Sequence, residues 1–262
     1  MSLKNFAQES RVVLMSGVRR RLAYWGFDER GEASQEPEAV SGGYVMRGEV
    51  FDDPGVPQLW KALKRAIARK GMDVVVEEAA YTWFNRMVAM KVLAQNGYET
   101  AQLEYASEAD QTPRILQRAR QGGMGYLEPE EKERVTKLLG DFTKDQEAFA
   151  QLLTGYCRNH RTLRRVFGRQ EDYTELLLPD DVLQEGGFLQ LLNTHPSLTE
   201  EEYQKVELIG WLYQFYISEK KDEVFAAFGK GKKAEAKDIP AATQIFTPNW
   251  IVKYLVENSL GR

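Results

Sequence analysis

Apolar residues return at helical spacing over most of the chain. Across 3–25, Phe6, Val13, Leu14, Gly17, Val18, Leu22 and Trp25 form a stripe near the 3.6-residue period. Pro57–Lys70 repeats the pattern, with Leu59, Trp60, Leu63 and Ile67 on one face and Lys61, Lys64, Arg65 and Arg69 around it. Asp73–Gln95 predicts a long helix with Asp73 as its cap and Gly97 beyond its end. Trp83, Phe84, Met87, Val88 and Lys91 share one side of it. Thr112-Pro113 opens a short helix, and Pro129–Leu139 and Lys144–Val166 predict two more. Ser197–Glu200 reads as a capping box for a helix to about Glu219, continued by a short one over Lys220–Phe228. The stretch 28–43, rich in Gly, Glu, Ser and Pro, predicts an exposed linker, and Tyr44–Phe51 alternates enough for one short strand. Pro179, Gly186, Gly187 and Pro196 break 171–196 into short helices and turns. The fold class that follows is mainly α, with at most one short β segment.

The segment GKGKKAEAK at 229–237 lacks large apolar residues and reads as a connector. Beyond it, 242–261 reads ATQIFTPNWIVKYLVENSLG. Thr247 predicts an N-cap and Pro248 the first helical position, where no donor is needed. Ile251, Tyr254, Leu255 and Asn258 follow at helical spacing, with Gly261 placed to end the helix. The organisation predicted is a helical domain over 1–228, a linker over 229–240 and a separate segment over 241–262.

Composition changes this picture little: 43% hydrophobic and 28% charged residues are ordinary for a globular chain. The single cysteine, Cys157, excludes an internal disulfide, fits a reducing, cytoplasmic setting, and reads as a small buried apolar residue. His160 and His195 with one cysteine make no convincing metal site, and His195, in a His-Pro-Ser loop, is expected at the surface. No apolar run approaches the roughly 20 residues that span a membrane.

Charge is more informative in its distribution than in its sum of −4. Residues 1–27 hold Lys4, Arg11, Arg19, Arg20 and Arg21 against Glu9 alone. Arg158, Arg161, Arg164, Arg165 and Arg169 follow one another over 158–169 without an acid, whereas 171–202 hold nine acids and no Lys or Arg. A basic face for the phosphates of double-stranded DNA is one reading of the arginine cluster, and a solvated helix face is the other. The aromatic run Trp211, Tyr213, Phe215 and Tyr216 fits core packing better than base stacking, because Leu208, Trp211, Leu212, Phe215 and Tyr216 share a face. Asn85 and Arg86 read as polar surface or interface residues with no catalytic part.

The Gln-Ile-Phe-Thr-Pro loop and following helix resemble motif X of adenine-N6 DNA methyltransferases. The longer strings IPAATQIFTPNWIVKYLVENSLGR and IGWLYQFYISEKKDEVFAAF, with YTWFNRMVAMKVLAQNGY at 81–98 and LKNFAQESR at 3–11, are similar to the PglX (BrxX) family of the BREX phage-exclusion systems. The resemblance implies that 241–262 begin a Rossmann-like methyltransferase domain that is otherwise absent. It implies that Ile245, Phe246, Thr247 and Pro248, with Gln244 as a weaker candidate, touch the methionine end of S-adenosylmethionine. A helix N-terminus suits that carboxylate. Double-stranded DNA and other BREX proteins are the partners it implies. The family's glycine-rich cofactor loop is missing, however: Gly122–Gly125 and Gly229-Lys230-Gly231 follow no apolar strand. The catalytic Asn-Pro-Pro-Tyr/Phe motif is missing too, since the chain has no Pro-Pro pair. No catalytic residue and no metal ligand is therefore assigned, and this stretch alone is expected to be inactive. The alternative is a non-enzymatic helical module that binds DNA or a protein.

Overall fold

The computed structural model describes all residues except 1, 108, 168–172, 232, 234–238, 244–246 and 261–262. In chain order the elements are α1 (Leu3–Tyr24), β1 (Glu38–Val40), β2 (Gly43–Met46), β3 (Glu49–Phe51), α2 (Val56–Lys70), α3 (Met72–Gln95), α4 (Arg114–Arg120), α5 (Pro129–Leu139), α6 (Asp145–Asn159), α7 (Arg161–Phe167), α8 (Phe188–Thr194), α9 (Glu200–Tyr203), α10 (Leu208–Tyr216), α11 (Ser218–Gly229), α12 (Ile239–Thr243) and α13 (Asn249–Ser259). The chain is mainly helical, as its periodicity predicts. It divides into two compact units, Val12–Asn193 and Met1–Arg11 with Thr194–Arg262.

In the larger unit the core gathers around α2, α3 and a 3-10 turn at Tyr173–Leu177 that packs on both. Three buried indoles each donate to a main-chain carbonyl: Trp25 to Leu176 at 2.8 Å, Trp60 to Trp25 at 2.9 Å and Trp83 to Thr174 at 2.9 Å. Their rings bury apolar surface, on the order of 3 kcal/mol each, while the N–H keeps a partner. Gly71, at φ 86°, ends α2 and caps α3, since glycine alone turns that way without steric cost. Asp73 is therefore not the cap expected from the sequence. It lies in the first turn of α3 and accepts a hydrogen bond from Arg19 at 2.8 Å.

The expected strand over Tyr44–Phe51 is two strands of a three-stranded antiparallel sheet, ordered β1-β2-β3. Its third member, β1, falls inside the stretch read as linker, because its side chains are exposed and carry no apolar alternation. Arg47 and Gly48, both at positive φ, close the β2–β3 hairpin between Met46 and Glu49. A two-residue loop of this kind matches strand twist. Gly43 is required by contact rather than torsion: a Cβ there would meet the Phe51 carbonyl oxygen at 1.9 Å.

α4 and α5 pack on α6, covering Ala148, Phe149, Leu152 and Leu153. A reciprocal Glu128–Glu131 box caps α5. The single helix expected over Lys144–Val166 is broken at His160, which is extended (ψ 123°) and accepts a hydrogen bond from the Leu163 amide through Nδ1 at 3.3 Å. A histidine serving as cap has no periodicity signature, so the break was invisible.

In the smaller unit Phe6, Ala7, His195, Tyr203, Leu208, Leu212, Tyr216 and Val224 are buried. The helix expected from Ser197 to Glu219 is three: α9, capped by the Thr199 hydroxyl rather than Ser197, then α10 and the start of α11. His195 is not at the surface as expected. It is 7% exposed, packed at 5.3 Å from the Phe6 ring, with Nδ1 taken by the Ser197 hydroxyl at 2.8 Å. Much of the linker expected over 229–240 lies outside the described residues.

Candidate functional site

Residues 244–246 lie outside the described residues, so Gln244, Ile245 and Phe246 receive no placement. Thr247 is exposed and Pro248 half-buried. Pro248, at φ −55° and ψ 143°, is the N-cap of α13, and no side chain caps the helix. The Thr247 hydroxyl is thus one residue further from the helix than its expected capping position. The same shift occurs at α4, where Pro113 and not Thr112 is the N-cap. Both prolines are extended, a region their fixed φ shares with the N-cap conformation. The first amides of α13 have no acceptor within the helix, which is the arrangement that receives a carboxylate.

The side chains of α13 are unusual for a helix in water. None of its residues is buried. Trp250 is 71% exposed, Tyr254 62% and Leu255 58%, and Val252 and Val256 are exposed beside them. Its polar bonds are local, with Lys253 against Glu257 at 3.7 Å and Asn258 donating to the Tyr254 carbonyl at 2.7 Å. An 11-residue helix with this much uncovered apolar surface is marginal alone.

The arginine cluster is split by the break at His160. Arg158, on α6, is held by Glu131 and by Glu175, the latter at 2.8 Å. Burial works against its charge, but the Glu175 and Glu131 carboxylates outweigh that and hold the guanidinium above its ordinary value. Arg158 therefore ties α6 to α5 and to the 3-10 turn. Arg161, Arg164 and Arg165, on α7, are exposed and make no ion pair among the described residues, while Leu163 between them is buried. Spacings of three and four put these three heads on one face. Arg169 lies outside the described residues.

The surface reading of Arg86 does not hold, because α3 packs it into the core. Arg86 is buried with its head over the Trp83 ring at 5.1 Å, and Lys91 is buried against Asn193 at 2.5 Å and Glu104 at 3.6 Å. Burial lowers the Lys91 pKa, and Glu104 partly restores it. Of the aromatic run, Tyr216 is buried with Leu208 and Leu212, while Trp211 and Phe215 are half-buried and stacked at 6.0 Å. Arg47 and Arg21, both over the Tyr24 ring, carried no signal as a pair. Among the described residues no group of three His, Cys, Asp or Glu is placed to hold a metal, and no helix is long and apolar enough to cross a membrane.

No protein-family model matches the sequence. Two curated proteins are related to it along its whole length. The adenine-specific methyltransferase BrxX of Escherichia coli O9:H4 (strain HS) is 37% identical over 269 residues, and the adenine-specific methyltransferase PglX of Lacticaseibacillus casei (strain Zhang) is 32% identical over 285. The chain spans 21% and 23% of their respective lengths.

Proposed function

We propose that this chain, a relative of the BrxX and PglX adenine-specific methyltransferases, is the region that precedes and docks the catalytic domain of a longer adenine-N6 DNA methyltransferase. The observation that carries this reading is α13. Its apolar side chains are uncovered, and a following domain is the natural cover. The chain's one-fifth share of its relatives' length, and its lack of a glycine-rich cofactor loop and of an Asn-Pro-Pro motif, point the same way. In the complete enzyme Ile245, Phe246, Thr247 and Pro248 form one edge of the S-adenosylmethionine site. The α13 amides receive the methionine carboxylate, and the cofactor, when bound, supplies the methyl group. The chain alone holds half a site and transfers nothing. The complete protein works in the cytoplasm with other BREX components in excluding phage.

The test is methyl incorporation into unmethylated duplex from labelled S-adenosylmethionine. The chain alone should give background counts. The longer protein should be active, and Thr247→Val with Pro248→Ala should raise its KM for the cofactor more than it lowers kcat. Incorporation by the chain alone overturns the reading, as does a longer protein indifferent to those substitutions.

A second reading has its own support in Arg161, Arg164 and Arg165. Three exposed cations on one short face, without carboxylate partners among the described residues, fit phosphate contacts to duplex DNA. Charge reversal at Arg164 and Arg165 should then abolish a binding that weakens steeply with salt. A contact with a protein partner would change little with salt.

A further inference from the structure

A further set of arginines, Arg21 and Arg47, lies in the larger unit, around the Tyr24 ring. Arg21 places its guanidinium carbon 4.5 Å from the centroid of that ring and 5.4 Å from that of Trp25. Arg47 reaches the same tyrosine from the β2–β3 hairpin, at 5.2 Å. Each head has one weakly used attachment to the main chain: Arg21 Nε donates to the Leu176 carbonyl at 3.4 Å, and Arg47 Nη2 to that of Ala23 at 3.1 Å. Neither makes an ion pair among the described residues. The nearby acids are engaged elsewhere, Asp180 and Asp181 by Arg20 and Asp73 by Arg19. Asp180, Glu147 and Glu49 act on the cluster only through space. Burial lowers the Arg21 pKa below its ordinary value, and Tyr24, Asp180 and Glu147 restore it only in part, so the cation is short of a close counter-charge.

The backbone adds an independent observation. Arg47 is the one non-glycine residue at positive φ (54°) among those described. Its position opens a two-residue hairpin loop completed by Gly48 at φ 80°, where asparagine or glycine is the residue that fits without strain. Stability alone does not select an arginine there. Strain retained at an exposed, unpaired, charged side chain is a sign of a use for its head.

We propose that Arg47 and Arg21, steered by the Tyr24 ring, form a clamp for a backbone phosphate of duplex DNA, separate from the α7 face. Two guanidinium forks present donors in the planar geometry that phosphate oxygens accept. The phosphate supplies the counter-charge that both heads lack. This inference rests on the DNA reading above.

The experiment is fluorescence anisotropy of a labelled duplex with the full chain across a salt series. Arg47→Asn places the preferred hairpin residue without the cation. It should leave the midpoint of thermal unfolding unchanged or raised, weaken binding about five-fold at low salt, and flatten the dependence of log K on log salt by about 0.9, the share of one phosphate. Arg47→Lys should restore most of the slope. Unchanged affinity and slope in Arg47→Asn overturn the clamp, and so does a loss of affinity that accompanies a lowered unfolding midpoint. If Arg164→Glu with Arg165→Glu abolishes binding while Arg47→Asn is silent, only the clamp falls. If the unaltered chain binds no DNA at all, the DNA reading falls with it.

Discussion

At the scale of single residues, burial decides more than residue type. His195 sits in a capping turn with its ring against Phe6, and burial lowers its pKa below the ordinary 6.5, with Glu9 only partly opposing. Well above pH 6.5 the ring is neutral folded and unfolded, so it adds no pH dependence there. Below that value the unfolded chain takes up a proton that the folded chain resists, so stability falls as pH falls. Thermal unfolding followed from pH 7.5 to 5 should show this acid limb, and His195→Leu should flatten it. A limb unaltered in that variant would assign the proton uptake to other groups. Cys157 answers to the same physics, its thiol pushed up to about 12 by burial, and it packs on the Met90 sulfur at 3.8 Å. Its sequence reading as a small apolar residue holds. That of His195 does not, because a His-Pro-Ser string is the same whether its loop faces water or a phenyl ring. Gly43 shows contact acting where composition is silent. With a Cβ 1.9 Å from the Phe51 carbonyl, Gly43→Ala must displace β3, and denaturant melts should register a loss of about 2 kcal/mol.

At the scale of elements, the helices that cover a core were the legible ones. α2 and α3 kept their expected extents to within a residue or two, because Trp60, Leu63, Trp83, Phe84 and Met87 mark one continuous buried face. Breaks were not legible where a short polar device replaces periodicity, as at His160 and in the run from Thr199 to Ser218. Both Thr-Pro starts were found from sequence and both were placed one residue early. The β2–β3 hairpin was half-read, since Arg-Gly is not the turn signal that Asn-Gly is. α13 was legible as a helix but not as an uncovered one, because an apolar stripe says that a face seeks cover without naming what provides it. Leu255→Glu should therefore leave the unfolding midpoint of this chain within about 0.5 kcal/mol of its original stability. The same change should impair the longer enzyme. Iodide should quench most strongly a tryptophan component that Trp250→Phe removes, since Trp25, Trp60 and Trp83 are buried and Trp211 is half-buried. A large loss of stability from Leu255→Glu would mean that the helix is covered after all.

At the scale of the whole molecule, the candidate site was legible only as residue types. The arginine cluster was found as five cations in a row, but Glu131 and Glu175, distant in sequence, withdraw Arg158 from it. Arg47 lay outside every charged run and joins Arg21 only through the fold. Such pairings are set by tertiary contact, which no local pattern encodes. The two-unit division was equally hidden, because the smaller unit draws Met1–Arg11 from one end of the chain and Thr194–Arg262 from the other. Phe6→Ala should thus cost about 3 kcal/mol and be felt unevenly. Hydrogen exchange should quicken in α10 and α11 while α2 and α3 keep their protection, and uniform quickening would mean one cooperative block. That division also sets an order of events during synthesis. Phe6 leaves the ribosome nearly two hundred residues before its ring partner His195. At elongation rates of about 5–20 residues per second, the first turns of α1 wait on the order of ten seconds or more for their core. The turns around Phe6 are made long before the residues that bury them, and whatever shields them in that interval is part of how this region folds.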